Sequence, residues 1–178
     1  MLADELGVHS YDKRILTLAS QYGGYPEHFF READETLNGS LITKQLQALP
    51  KHHAPTGELS KFTSDDRLFD YQKIIIEKLA ASESCVIVGK CADYILKDYD
   101  NVVSIYVEAP RSYTLRRVME RMDDITVEEA HHLITKTDKY RADYYKYYTG
   151  QEWKNAQNYD LSLDSSRLGF DGTVEAIL

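Results

Sequence analysis

At 178 residues with 43% hydrophobic content, the chain is long enough to bury one core and short for two, so a single domain over 1–178 is expected. A formal net charge of −8 argues against a general nucleic-acid binder, which needs clustered Lys and Arg to neutralise phosphate backbones. No apolar run reaches eighteen residues, and MLADELGVHS has no basic segment followed by an apolar one. Neither a membrane span nor a signal peptide is indicated, and a cytoplasmic protein is expected.

In chain order, ADELG reads as the last turn of a helix with Gly7 at its C-terminal cap. A short extended piece, 8–11, precedes a run from 12 to 22 in which Ile15, Leu16, Leu18 and Ala19 recur at helical spacing. Pro26 opens a short helix through Phe29 and Phe30, and from about 35 to 61 the pattern dissolves into a long loop or small mobile subdomain. Thr63 and Asp66 have capping-box spacing ahead of a helix that carries Leu68, Phe69, Ile75, Ile76 and Leu79 and ends near Ser82. Strands are expected at 85–88, 102–107 and 159–163. The first two are continuous apolar runs, the pattern of strands buried on both faces of a parallel sheet. Helices are expected after 88 to about Leu96, at 111–122, from a Thr126/Glu129 capping box to about Tyr148, and from near Gly172. Strands alternating with helices mean an α/β fold with right-handed crossovers.

The stretch SCVIVGKCAD, starting at Ser84, raises the possibility of a phosphate loop, but G-x-x-x-x-G-K-[ST] fails at the first glycine and at Cys91 after Lys90. Two segments run against the acidic average. Arg111, Arg116, Arg117 and Arg121 face Glu120 for a balance of +3, and Lys136, Lys139, Arg141 and Lys146 face Asp138 and Asp143 for +2. Such islands on an acidic chain suit a small polyanion, such as a nucleotide. Cys85 and Cys91 match no common zinc or redox spacing and read as small buried hydrophobes. His52-His53 and His131-His132 have no metal-ligand spacing, so no protein-bound metal is expected. Tyr140, Tyr144 and Tyr148 step by four on one helix face, a stripe suited to packing on the body or, less readily, to stacking on bases.

Six pieces, in this order, together resemble the cytidylate-kinase-like family of P-loop nucleoside monophosphate kinases: Tyr11-Asp-Lys-Arg, Phe69-Asp-Tyr-Gln-Lys-Ile, SCVIVGKCADYIL, VVSIYVEAP with LRRVMER, TDKYRADYYKYYTG and YDLSLDSSRLG. The resemblance implies a three-layer P-loop kinase-like fold, a parallel sheet flanked by helices with its first strand missing. It also implies transfer of the γ-phosphoryl group of ATP to CMP or a similar acceptor, with Mg2+ arriving on ATP. The family's phosphate loop lies upstream of ADELG, so the chain as given is expected to begin just after it and to be inactive or nearly so. The alternative is a non-catalytic nucleotide-binding or interaction module. An incomplete sheet could also promote pairing into a homo-oligomer.

The resemblance places Lys90 and Asp93 at the monophosphate, with Gly89-Lys90 where the family usually has Gly-Arg; a lysine offers a point charge in place of a bidentate grip, and a solvated residue at a helix start is the rival reading of Lys90. Asp12 and Arg14 stand where the family begins its monophosphate-binding helix, although Asp12 could equally be a helix cap. Arg117 and Arg121, four apart on one face, fall near ATP, with an exposed ion-pairing face as the rival. Lys136, Lys139 and Arg141 lie in the lid-like segment 126–150 and would close over the phosphates as catalytic cations, with a charged amphipathic helix as the competing reading. Asp164 is expected to structure the SSRLG turn.

Overall fold

The computed structural model of the chain describes residues 1–24 and 64–178. The Pro26 helix, the loop 35–61, the Thr63 cap and the His52-His53 pair lie outside the described residues. In chain order the elements are α1 (Leu2–Leu6), β1 (His9–Tyr11), α2 (Arg14–Gly23), α3 (Ser64–Ser82), β2 (Cys85–Ile87), α4 (Ala92–Ile95), β3 (Ile105–Glu108), α5 (Arg111–Arg121), α6 (Val127–Thr149), β4 (Leu161–Asp164) and α7 (Ser165–Ile177). The fold is mixed α/β and mostly helical. Its described strands form two separate parallel pairs, β1 with β2 and β3 with β4. The chain divides into two compact units, Ala3–Ile95 and Leu96–Leu178 with Met1–Leu2.

In the first unit, Gly7 ends α1 as the sequence predicts, and the Val8 N–H donates to the Ala3 carbonyl at 2.9 Å. Helices α2 and α3 pack together because each carries an apolar stripe: Ile15, Leu16 and Ala19 on one, Ile75 and Ile76 on the other, all buried. Burying each isoleucine contributes about 1.5–3 kcal/mol. Strand β1 pairs in register with β2, His9 opposite Cys85 and Tyr11 opposite Ile87. Glu83, between α3 and β2, ties the junction to β1 by accepting from the Tyr11 hydroxyl at 2.6 Å and meeting His9 Nδ1 at 2.7 Å. Those bonds hold its carboxyl below the usual range, with Tyr11 the larger cause, and the same contact raises the Tyr11 phenol.

In the second unit, the β3–β4 pair is fastened at both ends. At the start, the Ser104 N–H and Oγ donate to Asp160 Oδ2 at 2.8 and 2.7 Å, while the Asp160 N–H returns to the Ser104 carbonyl at 2.9 Å. At the other end, Ser165 Oγ donates to the Glu108 carbonyl at 3.0 Å. Helix α6 begins with the full Thr126/Glu129 capping box and ends at left-handed Gly150. Of the tyrosine stripe, Tyr144 is buried and Tyr140 and Tyr148 are half-buried, with their rings in contact along the helix; beside it Tyr145 is buried, and Tyr106 of β3 stacks on Tyr159 and meets Trp153 edge-on.

Two expectations are corrected. Strand β3 starts at Ile105, because the Val102 N–H turns back to the Tyr99 carbonyl. The strands are not buried on both faces: every residue of β2 is half-buried and Val107 is 49% exposed, since each described strand belongs to a pair and has an edge. Asp164 structures the SSRLG turn as expected, accepting from the Ser166 N–H at 2.9 Å and Oγ at 2.6 Å, and that turn joins the helix expected near Gly172 across a kink, so that α7 runs from Ser165. SSRLG is therefore its first turn, broken where Gly169 takes φ 69°, a conformation open to a residue without Cβ. The described residues contain no helix long and apolar enough to cross a membrane.

The Ser104 donors hold the Asp160 carboxyl below the usual carboxylate range, the backbone N–H being the larger cause. A depressed folded value means a contribution present above the unfolded value and lost as pH falls through the folded one. In thermal melts, wild-type protein should therefore lose its advantage over Asp160→Asn as pH falls from about 5 to about 3. A difference that stays constant with pH would contradict this role.

Candidate functional site

Parallel pairing makes both chains of a pair leave at the same end, and the residues beyond those carboxyl ends are where ligands bind in parallel α/β sheets. In the first unit, the Val88 N–H donates to the Tyr11 carbonyl at 2.7 Å, so Asp12 and Gly89 leave from adjacent points. After Gly89 the chain makes a tight turn, closed by the Ala92 N–H donating to the Gly89 carbonyl at 3.1 Å. Its central residues, Lys90 and Cys91, have φ of 60° and 56°, and Gly89 has 72°. For residues with a Cβ this conformation costs about 1–2 kcal/mol each.

That turn aligns several predicted residues. Lys90 stands at its tip and Asp93 in the first turn of α4. Asp12 is exposed, and among the described residues its carboxylate has no hydrogen-bond or ion-pair partner. Arg14 opens α2 with its guanidinium 5.5 Å from the Tyr11 ring centre. Lys90, Asp93, Asp12 and Arg14 are thus all carried by the segments that leave the carboxyl end of one parallel pair. Cys91, beneath the turn, is 3% exposed, and burial pushes its thiol up to about 12, so it is an inert packing group. Cys85 is half-buried and its thiol is raised, again mainly by burial.

In the second unit, the carboxyl ends of β3 and β4 open on a groove of about 270 Å³ lined by Pro110, Ser112, Tyr113, Arg116 and Ser166. Helix α5 starts here on Pro110 with no side-chain cap, so its first N–H groups face outward. Arg117 instead pairs with Glu120 and lies 4.7 Å from the Phe170 ring centre, its Nε buried without a partner among the described residues. Arg121 is exposed in the last turn of α5. Spacing alone picks out Arg117 and Arg121 and misses Arg116; the usable signal is Pro-Arg-Ser at a helix start that lacks an acidic or capping residue.

The three lid-segment cations occupy different settings. Lys139 pairs with Asp143 one turn on. Arg141 lies 3.9 Å from Asp138 and 5.9 Å from the Trp153 ring centre, and Lys154 approaches the same carboxylate at 3.6 Å. Lys136 is exposed and has no ion-pair partner among the described residues. Exposed pairs of this kind contribute about 0.2–1 kcal/mol, so a phosphate could displace them. No group of three or more His, Cys, Asp or Glu side chains is gathered for a metal among the described residues.

Residues 1–167 match the cytidylate kinase-like family. No curated protein matches the chain. Among solved structures, it is similar to an uncharacterized protein from Eubacterium ventriosum, at 22% identity and a TM-score of 0.68, over 99% of this chain and 83% of that one. At that identity the likeness is one of fold.

Arg141 links Asp138 to the sole tryptophan, so Arg141→Ala should red-shift Trp153 emission and lower stability by about 0.5–1 kcal/mol in denaturant titrations. Unchanged emission and stability would leave Arg141 with no packing role.

Proposed function

The chain belongs to the cytidylate kinase-like family, and from that membership we propose that it serves phosphoryl transfer from a nucleoside triphosphate to a nucleoside monophosphate, CMP being the favoured acceptor. The carboxyl end of β1–β2 is its acceptor-phosphate site. The observation that carries this reading is the strained turn at Lys90. Costly backbone conformations persist where the surroundings impose them, and they gather at ligand clamps and active sites. Here the strain fixes a cation at the mouth of a parallel pair, next to the start of α2.

In this reading the parallel β1–β2 pair with its helices is of the P-loop kinase kind. Lys90 neutralises the acceptor phosphate as a point charge, with Arg14 and Asp12 at the other exit of the pair and Asp93 a turn beyond. An acceptor phosphate oxygen attacks the γ-phosphorus of ATP as the bond to the β–γ bridging oxygen breaks, and ADP leaves. Such a reaction asks the protein for positioning and charge neutralisation more than for covalent chemistry. Lys136, Lys139 and Arg141 supply lid cations, Lys136 needing to give up no described ion pair, and Arg117 and Arg121 lie on the donor side. Magnesium comes with the triphosphate, held by phosphate oxygens and water.

Ligand-induced thermal shifts test the reading on the chain as it stands. CMP at a hundred times its Kd should stabilise the protein by about 2.7 kcal/mol. Lys90→Gly should relax the turn, raising the stability of the unliganded protein by about 1 kcal/mol, and should abolish most of the CMP shift. A cooperative melt that CMP leaves unmoved, or a Lys90→Gly protein that responds to CMP like wild type, would overturn the acceptor site.

A further inference from the structure

Helix α5 is eleven residues long and none of them is buried, although it packs against α6. A helix draws most of its stability from an apolar face covered by something else, so one without a buried side chain offers a face to a further partner. That face carries Ser112, Leu115, Arg116, Met119 and Glu120, which recur at intervals of three and four and line one open hollow of about 400 Å³. Leu115 and Met119 form its apolar flank, with Met119 39% exposed, and Arg116 and Glu120 form its charged flank.

The charged flank is incompletely paired. Glu120 gives Oε2 to Arg117, while its Oε1 lies 3.9 Å from Arg116 Nε, too long for a hydrogen bond. A carboxylate oxygen and most of a guanidinium fork therefore remain to bond elsewhere, on either side of the middle of the helix. Their placement is self-complementary. Consider two α5 helices lying antiparallel about a two-fold axis that passes level with the point between 117 and 118. A rise of about 1.5 Å per residue then sets Arg116 within about 1.5 Å of the level of the partner's Glu120, and Leu115 equally near the level of the partner's Met119. The same axis turns like flanks toward each other, so apolar side chains meet apolar ones and the charged flank meets its opposite signs.

We propose that this face of α5 docks on the same face of a second copy of the chain, as an isologous dimer with a Leu115–Met119 seam and two Arg116–Glu120 bridges across the two-fold. The pairing does not depend on phosphoryl transfer. One short helix on each side buries less than the roughly 1,200 Å² of a stable complex, so the dimer is weak, with a dissociation constant on the order of 100 μM. Sedimentation equilibrium of the full chain, from about 5 to about 500 μM, tests it. The average mass should rise from 20.5 kDa toward twice that value. Arg116→Glu and Glu120→Arg each set like charges against each other and should each weaken pairing at least about tenfold. An equimolar mixture of these two variants has opposite charges at both bridges and should pair about as tightly as wild type. Met119→Asp leaves the bridges intact but puts a carboxylate in the seam of each copy, and it should abolish pairing; thermal melts of the same samples show that each variant is folded. A wild-type chain that stays monomeric throughout overturns the proposal. So does a dimer that survives Glu120→Arg or Met119→Asp, or a mixture that pairs no better than its two components.

Discussion

The parallel pairing of short strands is the constraint on which the rest of the structure depends. Three ladder positions in β1–β2 and four in β3–β4 force each pair of chains to leave its sheet at one end, and whatever follows must start from adjacent points. Every candidate residue outside α6 inherits its place from that rule or from a helix that starts there. Strands this short need fastening, and side chains supply it: Glu83 clasps Tyr11 and His9 in one unit, and Ser104 with Asp160 and Ser165 with Glu108 bracket the other.

The two carboxyl ends meet that constraint with different chemistry. Beyond β2 the backbone itself is strained, and Lys90 and Cys91 hold a conformation that glycine would take at little cost. Beyond β3 and β4 the backbone is relaxed, and the features are an uncapped helix start, two serines and Arg116 around a groove. A strained, cationic turn suits one small anionic group held in a fixed place. A groove lined by a tyrosine and an arginine suits a ligand with a planar part.

Much of the fold was legible in the sequence because helices announce themselves through several signals at once. The Thr126/Glu129 box, the Gly150 stop and the apolar stripes of α2 and α3 appear where capping and periodicity put them. Strand burial was not legible. An apolar run such as VVSIYV carries no information on whether both its edges and both its faces are covered, and Val103 and Val107 are in fact largely exposed. Asp164 was legible as the residue that structures the SSRLG turn, but that this turn is helical was not, because SSRLG has no apolar repeat. At the candidate site, Lys90 could be singled out from Gly-Lys after a strand, but its left-handed backbone could not, since lysine rarely adopts it. Arg116 was counted in a basic segment but not singled out as a site residue, for a related reason: its importance lies in what it lines, and spacing along α5 does not encode that.

The central claim is that the turn from Gly89 to Ala92 exists to hold a phosphate of a monophosphate ligand. The most direct measurement is a titration of the isotopically labelled chain with CMP, and separately with cytidine, followed by the backbone amide resonances. The account predicts saturable shifts at Gly89, Lys90, Cys91 and Ala92 and at Asp12 with CMP, and much smaller ones with cytidine, which lacks the phosphate. Equal responses to the two ligands, or shifts that leave residues 89–92 untouched, would contradict it.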